Sequence, residues 1–243
     1  MLRSRYHAAA APRGRWVIAH RGASARFPEN TLPAFRAAVE VGADFIELDV
    51  HLTADDEVVV VHDGTLGRTI SGAGRVAELT LAELRRRDAG SWKSAEFAGA
   101  RVPTLAEVLD GIPLPVMVEI KPEGRRVVER TVEVIRAAGA AGRVVIASFS
   151  DANLRDAEVL LPEVERLALG KPDPARMDRI HIAGPPFDRA DAALAERMHR
   201  GGGALWCWTV DDPADIAAAI RLGADGIISN HADRVVGAIQ GMS

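Results

Sequence analysis

The chain has 243 residues, a length that fits one large domain better than two small ones. Hydrophobic residues make up 48% and charged residues 26%, which is typical of a globular protein. The formal net charge of -4 lacks the basic excess of nucleic-acid-binding domains, and no apolar run reaches the ~18 residues of a transmembrane helix. Cys207, the only cysteine, lies in an apolar run and is predicted to be a buried, inert thiol.

Short apolar runs alternate with amphipathic stretches along the chain. The predicted strands are residues 16–19, 45–50, 116–120, 144–147, 165–169, 179–182, 204–210 and 226–228. The predicted helices outside the long segment between the second and third strands are residues 31–41, 151–161, 189–200, 213–222 and 234–239. This order indicates an α/β fold, a (β/α)8 TIM barrel whose apolar strands are covered by helices. A doubly wound open sheet is the alternative, because periodicity alone does not close a barrel.

Two segments depart from the strand–helix repeat. Residues 1–14 are too weakly apolar for a signal peptide and are predicted to form a flexible tail, so the cytoplasm is the default location. Residues 15–243 form the single predicted domain. Within it, residues 57–112 are far longer than one helix requires and contain glycine-rich turns, which predicts an insertion on one rim of the barrel, between strands two and three.

Acidic residues alternate with apolar ones in two of the predicted strands. In strand two, Glu47 and Asp49 share one face, and in strand three Glu119 and Lys121 share one face. These charged faces are expected to point into the barrel. Three inward carboxylates favour an oxygen-ligand site for Mg2+ or Ca2+. A buried layer of salt bridges, with Lys121 pairing Glu119 or Glu47, is the alternative interpretation.

Two histidines follow predicted strands at the rim where a (β/α)8 barrel carries its catalytic groups. His20 ends strand one and His62 ends the extended run that follows strand two. The pair suggests a general acid and a general base, because imidazole titrates near neutral pH. Arg21 has the fork geometry to bind phosphate oxygens, with a surface ion pair as the alternative. Trp208, near the end of strand seven, is expected to form a wall of the pocket against an alcohol group.

The order of these short motifs resembles the glycerophosphodiester phosphodiesterase family over roughly residues 16–230. The matching motifs are His20-Arg21-Gly22-Ala23, Pro28-Glu29-Asn30-Thr31, Glu47-Leu48-Asp49-Val50, His62-Asp63, Arg68-Thr69, Pro103-Thr104-Leu105, Glu119-Ile120-Lys121, Ser148-Phe149, Trp208-Thr209-Val210 and Gly226-Ile227-Ile228. Each triplet is weak alone, but the ordered set is specific. Two departures lie near the end of the chain: Asp211 replaces a frequent Asn, and residues 229–232 replace the usual Thr-Asp-x-Pro.

The resemblance implies hydrolysis of glycerophosphodiesters to sn-glycerol 3-phosphate and an alcohol. It implies a divalent cation held by Glu47, Asp49 and Glu119, with His20 and His62 as acid and base and with Arg21 and Lys121 on the phosphate. The expected partner is this small-molecule substrate and not a nucleic acid; the oligomeric state is not predicted. The alternatives are a lysophospholipase D-type phosphodiesterase on the same barrel, a non-catalytic binding barrel and a sugar-processing barrel with paired carboxylates.

Overall fold

The structure is a computed structural model that describes residues 2–170 and 179–241. Its strands are β1 (Trp16–Ala19), β2 (Phe45–Leu52), β3 (Val58–Val60), β4 (Val116–Ile120), β5 (Val144–Ser148), β6 (Glu165–Leu169), β7 (Ile182–Gly184), β8 (Ala204–Cys207) and β9 (Gly226–Ser229). All of these except β3 pair in parallel, and β1 pairs with both β2 and β9. This closes the sheet, so the predicted TIM barrel is confirmed and the open sheet is excluded.

Helices cover the outside of the barrel, except for one short helix in the rim connection between β2 and β4. They are α1 (Leu32–Glu40), α2 (Leu81–Leu84), α3 (Leu105–Gly111), α4 (Arg125–Ala137), α5 (Asp151–Leu160), α6 (Ala192–Arg200), α7 (Pro213–Leu222) and α8 (Ala232–Gln240). Thr31 caps the amino end of α1 by accepting a hydrogen bond from Ala34, and Pro33 lies in the first turn, where a missing N–H costs little. No helix in the described ranges has the length and apolar character needed to cross a membrane.

The sequence pattern misplaced two strands of the barrel. The sixth barrel strand, β7, begins at Ile182, where residues 179–182 were predicted, and it continues into Ala183 and Gly184. A Cβ atom at Gly184 would lie 2.4 Å from Leu167 Cδ2, so a larger residue here would require the Leu167 side chain to move. The predicted strand 204–210 ends at Cys207, after which Trp208 makes only a single bridge to Pro186. The small residues Ala183 and Gly184 give little hydrophobic signal, which explains the first error. The apolar run continues past Cys207 through Trp208 and Val210, which explains why the second strand was predicted too long.

The core has two layers separated by the barrel wall. Ile46, Leu48 and Val50 of β2 point outwards and pack with helix residues, as the alternation predicted. Inside the barrel, the lower half is filled by large apolar side chains, including Phe45, Met117 and Trp206. The upper half of the interior is therefore left to the polar side chains at the carboxyl ends of the strands.

The amino-terminal segment packs against the base of the barrel, whereas the sequence predicted a flexible tail over residues 1–14. The Tyr6 ring is buried and makes edge-to-face contacts with Trp16 at 5.7 Å and with Phe45 at 5.0 Å between centroids. The sequence did not predict this docking, because Tyr6 is a single aromatic residue among polar and small neighbours. The segment closes the base of the barrel.

Two buried carboxylates hold the same segment in place. Glu165 accepts hydrogen bonds from Ser4 Oγ at 2.6 Å and from the Arg5 backbone N–H at 2.7 Å. Asp225 accepts one from the Ala8 backbone N–H at 2.8 Å. Burying a carboxylate is costly unless donors surround it, so each of these contacts stabilises the docked segment.

The long connection between β2 and β4 forms the predicted rim structure. Its own apolar cluster lies around Val59, Val61 and Leu84, separate from the barrel core. Within the described residues, β3 is the antiparallel strand, paired with the end of β2. The last element of the predicted insertion over 57–112, α3, instead packs into the outer layer of the barrel. It takes the place of the helix that the repeat requires between these two strands.

Candidate active site

A pocket opens at the carboxyl ends of the barrel strands, and it gathers residues from or just after every strand except β7. Its lining consists of His20, Arg21, Glu47, His62, Met117, Glu119, Lys121, Phe149, Leu169, Trp208, Thr209 and Ile228. Seven of the eight side chains predicted for the site are in this set. The eighth, Asp49, is fully buried beside the pocket and contacts Arg21 and Lys121.

Three buried carboxylates form the centre of the site. One oxygen from each of Glu47, Asp49 and Glu119 lies within 4.8 Å of the other two. Adjacent strands β2 and β4 place them there, because Asp49 is paired directly with Glu119 in the parallel register. Asp49 Oδ1 is buried and has no hydrogen-bond partner among residues 2–170 and 179–241. An oxygen-only donor set with an unsatisfied buried oxygen fits a hard divalent cation such as Mg2+ or Ca2+.

The electrostatics of the three carboxylates show mutual repulsion. Burial, followed by the charges of Asp49 and Glu119, raises the pKa of Glu47 well above its ordinary value. Burial and the charge of Asp49 raise the pKa of Glu119 to about 7. For Asp49 burial also acts upwards, but Arg21 and Lys121 outweigh it and lower its pKa. A divalent cation among these oxygens would relieve the repulsion.

A left-handed turn after β1 aims Arg21 at the carboxylates. Arg21 and Gly22 have φ angles of 55° and 82°. The Arg21 backbone N–H donates to Glu47 Oε2 at 2.8 Å. The side-chain Nε of Arg21 lies 3.2 Å from Asp49 Oδ2, but without the geometry of a hydrogen bond. Gly22 is needed because a Cβ atom would lie 2.6 Å from the backbone of Ala34.

Lys121 and His62 form the opposite side of the site. Lys121 Nζ lies 2.8 Å from Glu119 Oε1, 3.6 Å from Asp49 Oδ1 and 3.1 Å from His62 Nε2. The other ring nitrogen of His62, Nδ1, lies 2.6 Å from Asp63 Oδ1. The ion pair of Lys121 with Glu119 is the one that the salt-bridge alternative anticipated. It coexists with the unsatisfied oxygen of Asp49, so the pairing does not complete the site.

A chain of ion pairs connects the rim segment to the barrel. Arg68 donates from Nε to Asp63 at 2.5 Å and from both terminal nitrogens to Glu29, at 2.8 and 3.0 Å. Glu29 in turn accepts from Arg21 Nη1 at 2.9 Å. Hydrogen bonds from Arg68 are the largest influence on Asp63, and they lower the pKa of its carboxyl to about 2. His62 and Arg21 are therefore held by one network.

His20 lies on the remaining side of the carboxylates. Its Nδ1 is 2.8 Å from Asn230 Oδ1, and its Nε2 is 3.9 Å from Glu47 Oε2. Burial, followed by the nearby charge of Arg21, lowers the pKa of the ring to about 4. The neutral imidazole is the stable form at neutral pH, and its Nε2 faces the pocket.

The far wall of the pocket is apolar. The Trp208 indole donates to the Gly184 carbonyl oxygen at 2.7 Å and meets Phe149 edge to face at 5.7 Å. Phe149 is 49% exposed, which is unusual for a phenylalanine and leaves its ring at the pocket entrance. Trp206, two residues earlier in the sequence, is fully buried at the base of the barrel.

Sequence reasoning assigned no role in the site to Asn30, although its motif was noted. Asn30 Nδ2 donates to Asp49 Oδ2 at 2.8 Å from a residue with a φ angle of 58°. Asparagine adopts this left-handed conformation more readily than most residues. The asparagine in this motif is therefore the sequence signal that could have indicated a special backbone position. The same reasoning also assigned no role to Glu29, Asp63 and Asn230, because their contacts depend on how three loops meet.

Comparison with known proteins gives consistent matches over nearly the whole chain. The model of the Glycerophosphoryl diester phosphodiesterase family matches residues 20–234. A glycerophosphodiester phosphodiesterase of Caldanaerobacter subterraneus subsp. tengcongensis is 37% identical over 236 residues, 92% of this chain and 97% of that protein. A Bacillus subtilis protein of the same name is 31% identical and covers 89% of this chain and 84% of its own length.

Solved structures agree. A phosphodiesterase from Oleispira antarctica, determined with the product sn-glycerol-3-phosphate, superposes with a TM-score of 0.88 at 28% identity and covers 93% of this chain and 96% of that one. A glycerophosphodiester phosphodiesterase from Agrobacterium tumefaciens superposes with a TM-score of 0.78 at 26% identity, over 92% and 99% of the two chains.

Proposed function

The chain belongs to the glycerophosphoryl diester phosphodiesterase family, an enzyme family, and on this premise we propose that it hydrolyses glycerophosphodiesters to sn-glycerol 3-phosphate and an alcohol. One observation carries the proposal. Three buried carboxylates stand at the mouth of the barrel between two histidines, with Arg21 and Lys121 beside them. A phosphodiester needs positive charge at its oxygens and a proton transfer at each side of phosphorus, and this group of side chains supplies both.

In this proposal a metal ion and two positively charged side chains bind the phosphate. We assign Glu47, Asp49 and Glu119 as the residues that hold a divalent cation, Mg2+ or Ca2+. When bound, the cation would offset the negative charge that develops on the phosphoryl oxygens. Arg21 and Lys121 would bind the remaining oxygens, because both project from the carboxylate cluster into the pocket.

The two histidines have different partners, and this difference suggests their roles. Nδ1 of His62 lies 2.6 Å from Oδ1 of the Asp63 carboxylate, a negatively charged acceptor. Nδ1 of His20 lies against the neutral amide of Asn230. We therefore assign His20 as the general base and His62 as the general acid. His20 takes the proton of the attacking group, which we propose is the substrate's own 2-hydroxyl; its oxygen bonds to phosphorus while His62 protonates the leaving alkoxide, and water then opens the resulting cyclic phosphate.

The apolar wall supports an alcohol-binding role for Trp208. The indole is fixed by its hydrogen bond to Gly184 and is backed by Phe149, so it presents a rigid apolar surface to carbon atoms beside the phosphate. The exposed ring of Phe149 also favours a second candidate substrate, a lysophospholipid, whose acyl chain would need an apolar surface at the entrance.

The test is release of glycerol 3-phosphate from glycerophosphocholine, measured with Mg2+, with Ca2+ and with EDTA. We expect release to depend on the metal and to fall by about 10^3-fold in Glu47→Gln, which corresponds to about 4 kcal/mol of lost charge stabilisation. Glu78→Gln, which changes an exposed carboxylate on the rim, is the matched control and should keep full activity.

Three results would count against the assignment. Release of glycerol 3-phosphate without a metal would show that the three carboxylates do not act by holding a cation. Full activity in Glu47→Gln would do the same for that ligand. Release of choline from lysophosphatidylcholine, with no reaction on glycerophosphocholine, would replace the proposed substrate with the second candidate.

A further inference from the structure

Behind His20, on the side away from the pocket, lies a polar cluster at the ends of β8 and β9 that takes no direct part in the proposed reaction. It consists of Asp211, Ser229 and Asn230. Asn230 contacts His20 and Asp211 contacts Asn230, so the cluster reaches the proposed general base through a single amide group.

Asp211 is surrounded by donors. Its Oδ1 accepts hydrogen bonds from Ser229 Oγ and from the Asn230 backbone N–H, both at 2.8 Å. Its Oδ2 accepts from Asn230 Nδ2 at 2.6 Å. Burial raises the pKa of Asp211, but the hydrogen bonds from Asn230 and Ser229 outweigh it and lower the pKa. Asp211 is therefore an ionised group that can only accept hydrogen bonds.

This acceptor determines which way the Asn230 amide faces. Only the Nδ2 side can approach Asp211 at 2.6 Å, because the opposite orientation would place two acceptor oxygens against each other. The Asn230 Oδ1 atom must then face His20, where it lies 2.8 Å from Nδ1. Ser24 Oγ, also 2.8 Å from the same oxygen, holds it from the other side.

The orientation of Asn230 in turn determines the tautomer of His20. An amide oxygen can only accept, so the proton of the neutral imidazole must be on Nδ1. The Nε2 atom is then unprotonated, and it is the atom that faces the pocket, 3.9 Å from Glu47 Oε2.

We propose that Asp211 is a positioning residue for catalysis: through Asn230 it holds His20 in the Nδ1–H tautomer, so that Nε2 is free to accept a proton from the attacking hydroxyl. The proposal rests on the assignment of His20 as general base. It concerns the position of the one ring proton of the neutral imidazole, which the contacts of Asn230 determine.

The test is the isosteric substitution Asp211→Asn. The introduced amide keeps an oxygen for Ser229 and the Asn230 backbone, but it now points an N–H group at the Asn230 side chain. The Asn230 amide should flip and donate to His20 Nδ1, which moves the ring proton to Nε2 and removes the base. In serine proteases, an Asp→Asn change that produces the wrong histidine tautomer lowers kcat by about 10^4-fold. Because the amide relay is weaker, we expect a loss of about 10^2-fold or more, with KM nearly unchanged.

The exchange Asp211→Asn with Asn230→Asp should restore activity. It reverses the donor and acceptor between the two positions, so that a carboxylate faces His20 Nδ1 and again requires a proton there. Asp212→Asn is the matched control. It makes the same chemical change one residue further on, in an exposed capping residue that contacts neither Asn230 nor His20, and it should leave kcat unchanged.

Nitrogen-15 NMR of histidine-labelled protein reads the tautomer directly, without substrate or added metal, with His20→Gln used to assign the signal. We expect Nδ1–H in the wild type, Nε2–H in Asp211→Asn and Nδ1–H again in the exchanged double variant. An Nε2–H tautomer in the wild type would overturn the proposal, even if the single variant failed to fold. A kcat of Asp211→Asn within about threefold of the wild type would overturn it as well. An inactive wild type would instead refute the proposed function, while the NMR spectra would still decide the tautomer.

Discussion

Both ends of the barrel interior hold buried carboxylates, but the two ends treat them differently. At the base, Glu165 accepts from Ser4 and the Arg5 backbone, and Asp225 accepts from the Ala8 and Leu205 backbone and from His199. At the mouth, one oxygen of each of Glu47, Asp49 and Glu119 lies within 4.8 Å of the other two, and Asp49 Oδ1 accepts no hydrogen bond from any residue that the structure describes.

Burial alone therefore does not identify the functional carboxylates in this protein. The acids at the base have their hydrogen-bonding capacity filled by the protein itself, which is what a structural role requires. The acids at the mouth repel one another and leave capacity unfilled, which is what a ligand site requires. We therefore expect that removing a carboxylate at the base lowers the stability of the fold, whereas changes at the mouth lower turnover.

The largest effect on stability should come from the base. Asp225→Asn replaces one carboxylate oxygen by an NH2 group. Either the Ala8 N–H, which donates to Oδ1, or the Leu205 N–H, which donates to Oδ2, then loses its acceptor. We expect the free energy of unfolding to fall by about 3 kcal/mol, with kcat unchanged, measured by urea denaturation and by turnover of the folded protein. A variant as stable as the wild type would show that these hydrogen bonds do not hold the base together.

At the mouth, the next effect should be on turnover and not on stability. His62→Gln keeps a polar side chain of similar length but cannot transfer a proton. We expect kcat to fall by about 10^2-fold, or about 2.7 kcal/mol, with the denaturation midpoint unchanged. His199→Gln, which changes a histidine at the base, should keep normal kcat. Equal turnover in both variants would exclude His62 from proton transfer.

The effect that is smallest per step of the experiment concerns pH, and its sign is opposite to that of an ordinary ion-paired carboxylate. The pKa of Glu119 is raised to about 7 in the folded chain, so the folded state binds more protons than the unfolded state below that pH. The metal-free protein should therefore lose stability as pH rises from about 5 to about 7, by up to about 1.4 kcal/mol per pH unit. Denaturation in EDTA at several pH values measures the slope. Glu119→Gln should reduce it and stabilise the metal-free protein; an unchanged slope would contradict the assignment to Glu119.

The charged residues at the mouth of the barrel could be predicted from the sequence, and the reason is strand alternation. Glu47, Asp49, Glu119 and Lys121 lie in regular strands, where a period of two fixes the face of each side chain. The His20 and His62 positions followed from the strand ends. Eight predicted strands favoured a barrel, but its closure was established only by the pairing of β1 with both β2 and β9.

The parts that the sequence did not predict all depend on loops. Asn30 reaches Asp49 only because its backbone is left-handed, and Arg68 joins Asp63 to Glu29 across two separate loops. Asp211 was noted as a departure from the usual motif, but its role depends on the side chain of Asn230 nearby. Hydrophobic periodicity carries no information about such contacts.

The docking of the amino-terminal segment also has a consequence for the order of folding. Its partners are distant along the chain: Ser4 meets Glu165 across 161 residues, and Ala8 meets Asp225 across 217. Contacts of such long range form late, because closing a long loop costs entropy before any contact compensates. During synthesis, β1 is among the first strands made, yet its partner β9 is the last. Until β9 arrives, one edge of β1 offers unpaired backbone groups to other chains, so we expect aggregation to compete with folding before the cylinder closes.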